Sequence, residues 1–170
     1  FILSQLRVWC YKAGILKVIQ AEVPVIVVGN ITVGGSGKTP IVMLLCRYFE
    51  LQGKSIGVVS RGFGGDYTQD ILKVTKLTDP RECGDEPALI AQQTNAQVVV
   101  AKRRNKAIQY LTANHQVDII ISDDGLQHYA MGRDVEIVVI DGIRRFGNGL
   151  FLPSGPLREP VKRLKSVDII

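Results

Sequence analysis

Cysteine is scarce in this chain of 170 residues. Cys10, Cys46 and Cys83 are odd in number, widely spaced and never paired as C-x-x-C. That pattern excludes a disulfide framework and a cysteine-held zinc, and it fits a reducing compartment. Long apolar runs are missing too. Lys17, Gln20 and Glu22 interrupt the longest candidate, so no stretch reaches the about 18 apolar residues that a membrane-crossing helix needs. No signal-peptide layout stands at the start. Aromatics make up only 6% of residues, and Lys plus Arg exceed Asp plus Glu by 21 to 16. The resulting +5 suits anionic partners such as nucleotides, phospholipids or phosphorylated sugars. Its basic residues are scattered and no nucleic-acid module is present, so nucleic acid is not an expected partner. Repeats and low-complexity segments are absent as well. The chain opens on Phe1, not Met, and closes on Val167-Asp-Ile-Ile170, which reads as the start of a buried strand. The expectation is one domain, cut from a longer protein at both ends.

What is present is organised around Val25-Ile-Val-Val-Gly-Asn-Ile-Thr-Val-Gly-Gly-Ser-Gly-Lys-Thr-Pro40. An apolar β-branched run leads into a glycine-rich turn and then a helix, the order of parts that makes a phosphate-binding loop. Glycines let successive backbone N–H groups face a polyphosphate, and the helix adds its positive dipole end. Gly34, Gly35, Ser36 and Gly37 would form the cradle, Lys38 would reach the outer phosphates, and the Thr39 hydroxyl would ligate Mg²⁺. The G-x-x-x-x-G-K-[ST] spacing is not met, because Thr32 stands where its first glycine belongs. The competing reading is a solvent-facing Gly/Ser turn with an incidental lysine.

Further along, the pattern predicts a helix over 41–51, a strand over 55–59, and a glycine loop at Ser60-Arg-Gly-Phe-Gly-Gly65. A polar stretch with one short strand at 71–74 follows. Cys83-Gly-Asp-Glu-Pro87 opens another helix, so Asp85 and Glu86 fall at its start, where capping alone explains acids. Strands are expected at 96–101, 117–122 and 135–140, with a helix over 103–114 between the first two. The 117–122 strand runs into Asp123-Asp124, placing acids where a phosphate loop's metal is held; a turn-forming Asp-Asp-Gly is the plainer alternative. After 140 comes an arginine- and proline-bearing loop through Pro160, in the position where α/β sheets place ligand contacts. Arg163 and Lys165 belong to a short helix beyond it. At the other end, residues 1–19 read as a basic amphipathic helix, with Phe1, Leu3, Leu6 and Trp9 on its apolar side and Arg7, Lys12 and Lys17 as its only charges. Such a helix either lies on a membrane surface or packs on its own protein. Gly14 is a break point within it.

Five of these motifs, in this order, resemble the tetraacyldisaccharide 4′-kinases, which phosphorylate the lipid A disaccharide precursor. They are 29–40, 60–65, Gly84-Asp-Glu-Pro87, Asp123-Asp-Gly-Leu-Gln-His128 and Leu152-Pro-Ser-Gly-Pro-Leu-Arg-Glu-Pro160. The resemblance implies an α/β fold of the P-loop type, a mostly parallel sheet flanked by helices, here as residues 23–170 behind an amphipathic segment 1–22, with a smaller second domain missing. It implies ATP and Mg²⁺ as cofactors and an acylated glucosamine disaccharide phosphate as acceptor, met at the cytoplasmic face of the bacterial inner membrane by a peripheral protein. Carried residue by residue, Lys38 and residues 34–39 would bind phosphates, and Thr39, Glu86, Asp123 and Asp124 would hold the metal. Asp85 would deprotonate the sugar hydroxyl, Arg158 would assist, and Arg61, Gln127 and His128 would lie near the acceptor. Phe63 stands where the family more often has Tyr, and the basic partner of Asp85 is expected in the second domain.

Two other functions fit a phosphate loop. A partitioning-type ATPase switch shares the Gly-Gly-x-Gly-Lys-Thr core but carries a lysine just before the paired glycines, where this chain has Val33. A kinase of a soluble metabolite requires neither the amphipathic start nor the Pro/Arg loop. The sequence sets no oligomeric state.

Overall fold

A computed structural model describes residues 6, 8–11 and 13–170. Val25, Val27 and Val28 are almost fully buried, and so are Ile56, Val58 and Val59. Strands buried on both sides belong to a sheet covered by helices on both faces. Six strands form it: β1 (Val25–Gly29), β2 (Ile56–Ser60), β3 (Leu72–Val74), β4 (Gln97–Val100), β5 (Ile119–Asp123) and β6 (Val135–Val138). Their order is β3-β4-β2-β5-β1-β6, with every pairing parallel except the edge pair β3–β4. The helices are α1 (Lys38–Leu51), α2 (Pro80–Cys83), α3 (Asp85–Gln93) and α4 (Arg104–Asn114). Alternate strand residues separate the core. Val28 and Val58 pack with Val42 and Cys46 of α1 and Ile90 of α3, whereas Val27 and Val59 pack with Ala107, Ile108 and Leu111 of α4. A third cluster of Ile31, Leu126, Val138 and Leu157 roots the Pro/Arg loop beside β1.

Register decides where function can sit. Val28 pairs with Asp123 and Val59 with Ser122, so the carboxyl ends of β1, β5 and β2 finish side by side. In parallel sheets that end, near a reversal of strand order, is where ligands bind. Here β1 has β5 on one side and β6 on the other.

Four expectations change. The polar stretch before Gly84 contains α2, started by Asp79, whose carboxylate accepts from Arg81 N at 2.8 Å, with Pro80 in the first turn. The expected strand at 167–170 is reduced to a parallel bridge of Ile169 with Ile137. Ahead of it the short helix is a 3₁₀ turn, Val161–Ser166. At the amino terminus, residues 6 and 8–11 are helical, but Gly14 (φ 73°) sits in a turn and Ile19 bridges to Met131, so the helix does not extend to residue 19. Phe1, Leu3, Arg7 and Lys12 lie outside the described residues. Tyr11 stacks on Tyr129 with ring centroids 6.4 Å apart, while Leu6 and Trp9 remain more than half exposed.

Candidate active site

The loop between β1 and α1 is held from behind. Asn30, with no exposed surface, donates through Nδ2 to Ser36 Oγ (3.0 Å) and Gly34 O (3.4 Å). Thr32 forms an antiparallel bridge with Leu157, and Val33 N donates to Pro156 O at 2.8 Å. That pairing explains the departure from the usual glycine spacing: Thr32 is extended and edge-paired, a conformation that needs no glycine. Gly37 caps α1 in the left-handed region (φ 82°, ψ 20°), and no side chain caps the helix. The N–H groups of its first turn therefore stay available to an anion. Lys38 and Thr39 follow, both mostly buried.

Across from Lys38, β5 ends in the two acids, and they differ sharply. Asp124 (φ 48°) accepts two hydrogen bonds from the Arg158 guanidinium, Nη1 to Oδ1 at 3.0 Å and Nη2 to Oδ2 at 3.1 Å. Lys38 Nζ lies 3.7 Å from its Oδ1. Burial works against the charge on Asp124, but the Arg158 hydrogen bonds together with Arg158 and Lys38 hold its pKa below the usual carboxylate range. Asp123 has no exposed surface, and neither carboxylate oxygen has a hydrogen-bond partner. Burial first, then the charges of Glu86 and Asp124, push its pKa up to about 7. Arg104, itself buried, spends its Nη2 on the carbonyls of Asp123 and Asp124 (2.8 Å each) and so fixes the turn without neutralising the Asp123 carboxylate.

The third wall comes from α3. Gly84 is its N-cap, with φ 91°, and a Cβ there would come within 2.5 Å of Phe63 O. The 60–65 loop is thereby pressed onto the start of α3, and Asp85 is the first helical residue, exposed and making no capping hydrogen bond. Capping does not account for its carboxylate.

These elements enclose a cleft of about 400 Å³ lined by Gly34, Gly35, Lys38, Arg61, Glu86 and Arg158, with Phe63, Arg104 and Asp124 also on its walls. Asp123 precedes Asp124 at the end of β5, and Asp85 precedes the cleft-lining Glu86 at the start of α3; neither Asp123 nor Asp85 is itself on the cleft wall. Gln127 points the other way: its Nε2 donates to Asn30 O (3.0 Å) and Glu159 Oε1 (2.9 Å), which makes it a brace of the loop. The segment at His128 is fixed by Arg133, whose Nη2 donates to His128 O at 2.7 Å. No three His, Cys, Asp or Glu converge as a ready metal cluster among the described residues. The fit to a divalent cation rests on the Asp123 carboxylate, buried with no hydrogen-bond partner, its charge offset only in part by Lys38 and Arg104, with the oxygens of Thr39 and Glu86 as companions in a hard-oxygen donor set. Asn30, Arg104 and Glu159 were not picked out by sequence reading, because an Asn after a strand, an Arg opening a helix and a Glu between prolines carry no motif of their own.

The family model for LpxK, tetraacyldisaccharide-1-P 4′-kinase, matches residues 1–170. The chain belongs to this family. The tetraacyldisaccharide 4′-kinase of Ruthia magnifica subsp. Calyptogena magnifica is 59% identical over all 170 residues, which cover 54% of that protein. The Mannheimia succiniciproducens tetraacyldisaccharide 4′-kinase is 49% identical over the same span, 52% of its length. A crystal structure of the "apo" form of LpxK from Aquifex aeolicus in complex with ATP superposes with a TM-score of 0.85 at 33% identity, covering 98% of this chain and 53% of that one. The chain spans about half the length of the tetraacyldisaccharide 4′-kinases it matches.

Proposed function

We propose that this chain is the phosphate-loop half of an ATP-dependent kinase, organised as an amino-terminal segment 1–22 and a domain 23–170. It would transfer the γ-phosphoryl group to the 4′-hydroxyl of an acylated glucosamine disaccharide 1-phosphate. The observation that carries the reading is the meeting, at one end of the sheet, of Lys38, the Asp124–Arg158 pair and Asp123, whose carboxylate has no hydrogen-bond partner, with Glu86 on the cleft wall. Phosphoryl transfer asks for little else, since positioning and charge neutralisation do most of the work.

In this reading residues 34–39 hold the ATP phosphates and Lys38 sets its charge against the β- and γ-oxygens. Thr39, Glu86 and Asp123 hold Mg²⁺. Those residues would hold the ion, which would supply charge neutralisation for phosphoryl transfer. The sequence expectation grouped Asp124 with those ligands; its carboxylate is held by Arg158, so its share is to orient Arg158 and Lys38 toward the phosphates. Asp85, exposed and uncommitted to capping, accepts the proton of the acceptor hydroxyl. Arg61 and His128 serve the acceptor side, and Gln127 acts through Asn30 on the loop.

An acylated acceptor puts the reaction at a membrane surface, and no helix among the described residues is long and apolar enough to cross one. The exposed Leu6 and Trp9 support peripheral contact, assigned here to the cytoplasmic face of the bacterial inner membrane. Full-length protein given labelled ATP should label an acylated glucosamine disaccharide 1-phosphate and leave soluble sugars unlabelled. Label on soluble sugars alone, or release of inorganic phosphate with no labelled acceptor, would refute the assignment.

A further inference from the structure

Arg158 reaches Asp124 from a segment outside every helix and strand, so its guanidinium is placed only as well as that segment is held. The backbone holds one side: Arg158 N and Glu159 N both donate to Ile31 O, at 2.8 and 3.3 Å. The side chain of Glu159, 5% exposed, holds the other. The last torsion of a glutamate is broad, and a carboxylate is oriented only when donors fix both of its oxygens. Gln127 Nε2 donates to Oε1 (2.9 Å), the Tyr129 hydroxyl donates to Oε2 (2.7 Å), and Arg163 Nε lies 3.4 Å from Oε2. The same Gln127 nitrogen donates to Asn30 O (3.0 Å), and Asn30 in turn ties Ser36 and Gly34 of the phosphate loop to Arg158 Nη1. Tyr129 is itself clamped. Its ring stacks on Tyr11 of the amino-terminal helix, and the Arg133 guanidinium carbon lies 5.3 Å from its centroid, with Arg133 fixed by Glu136 and by the carbonyls of Leu126 and His128. Burial and the Glu159 charge drive its pKa up to about 12, so the phenol keeps the proton it donates. Resting on the kinase reading above, we infer that Tyr129 is a positioning residue for phosphoryl transfer: its hydroxyl orients the Glu159 carboxylate, which through Gln127 and Asn30 sets the phosphate loop and Arg158. Tyr129 is not on the cleft wall and acts only through these groups.

Tyr129→Phe keeps the ring and its packing and removes only the donor. Full-length wild type, Tyr129→Phe, Asn30→Ala and the double variant are titrated calorimetrically with Mg²⁺-ATP, and thermal melts show that each is folded at the titration temperature. Tyr129→Phe should weaken Mg²⁺-ATP binding roughly threefold to tenfold, the scale of one hydrogen bond. The double variant should bind no more than about twofold more weakly than Asn30→Ala alone, because the two losses share one route. A lowered melting temperature with wild-type ATP affinity would make Tyr129 a purely structural residue and overturn the inference. Losses that multiply in the double variant would overturn it too, since Tyr129 would then act by a route that bypasses Asn30. Wild type that fails to bind Mg²⁺-ATP would refute the kinase reading itself and this inference with it; normal binding by wild type beside an unaffected Tyr129→Phe removes the positioning role alone.

Discussion

Two groups of buried carboxylates, one at β5 and one around β6 on the far side of β1, are treated in opposite ways. Near the start of β6, Glu136 accepts from Arg133 Nη1 (2.7 Å) and from Arg163 Nη2 through both oxygens, and the nearby Glu159 accepts from Gln127 and Tyr129, with Arg163 Nε 3.4 Å away. Every oxygen has a partner. The hydrogen bond and charge of Glu136 raise the Arg163 pKa despite burial, and burial with the charge of Glu159 drives the Tyr129 hydroxyl up to about 12. At the end of β5, Asp123 is at least as deeply buried with no partner. A folded chain keeps an uncompensated buried carboxylate where something outside the chain is to supply the charge. The first group is architecture, and the second is the place where the proposed function puts a cation.

The largest effect expected concerns neither group but the start of α3. Asp85→Asn in full-length protein should lower turnover by roughly 10²–10⁴-fold while melting temperature and ATP affinity stay near wild type. The helix start cannot be the cause of any loss, because Gly84 is the cap. Normal turnover in the Asn variant would remove Asp85 from the chemistry and leave the cleft with no assigned base.

Substituting one acid from each group tests the comparison directly. Glu136→Gln leaves Arg133 buried without its counter-charge and Arg163 with Glu159 alone, and should destabilise the fold by about 3 kcal/mol. Asp123→Asn should do the reverse in metal-free protein at pH 8, adding about 1–3 kcal/mol because it removes an unpaired buried charge, while weakening Mg²⁺-ATP binding. Denaturant titration with and without Mg²⁺-ATP reads both. The pH dependence carries the same sign. Folding raises the Asp123 pKa to about 7, so between the unfolded carboxylate range and that value the native state holds the extra proton. Metal-free stability should therefore fall as pH rises from about 4 to 7 and level off above it, and the Asn variant should lack that component. A wild type whose metal-free stability gains from ionising Asp123 would show that the carboxylate has a partner after all.

Much of the cleft was legible in the sequence because its parts are local. Gly34 to Thr39, Asp85-Glu86 and Asp123-Asp124 are runs in which one strand end or helix start sets the geometry, and alternating or continuous apolar stretches located the strands that carry them. What stayed hidden depends on contacts between distant segments. Asn30 is a buried hub only because Arg158, 128 positions away, donates to its Oδ1 (3.0 Å) and Gln127 to its carbonyl. The contacts of Gln127 Nε2 with Asn30 O and Glu159 Oε1 have the same origin. Likewise no composition signal distinguishes an Asp124 that ligates a metal from one claimed by Arg158. Asn30→Ala should cut the tie between the phosphate loop and the Asp124–Arg158 pair, costing roughly tenfold in Mg²⁺-ATP affinity with a stability loss of about 1–2 kcal/mol. A stability loss with unchanged affinity would make Asn30 part of the architecture, on the Glu136 side of the comparison.

The smallest effect concerns the amino-terminal segment, where charge is exposed and its value is set by salt. Tyr11 stacks on Tyr129 and so anchors one side of the helix to the domain beside the Glu159 network, while Leu6 and Trp9 face outward. Packing on the protein and contact with a membrane are therefore compatible uses of two different faces. Each basic residue near an anionic surface contributes on the order of 1 kcal/mol within about a Debye length. Arg7, Lys12 and Lys17 together would give binding that is useful and reversible. Full-length protein should sediment with vesicles containing anionic lipid, and high salt should release it. Replacing the three by Glu should abolish that binding and leave activity on a detergent-dispersed acceptor nearly unchanged. Trp9, the chain's one tryptophan, reports the contact: its emission should shift to shorter wavelength when vesicles are added to wild type. Retained vesicle binding in the Glu variant, with Trp9 emission unmoved in wild type, would assign the helix to internal packing and put the membrane contact on another surface.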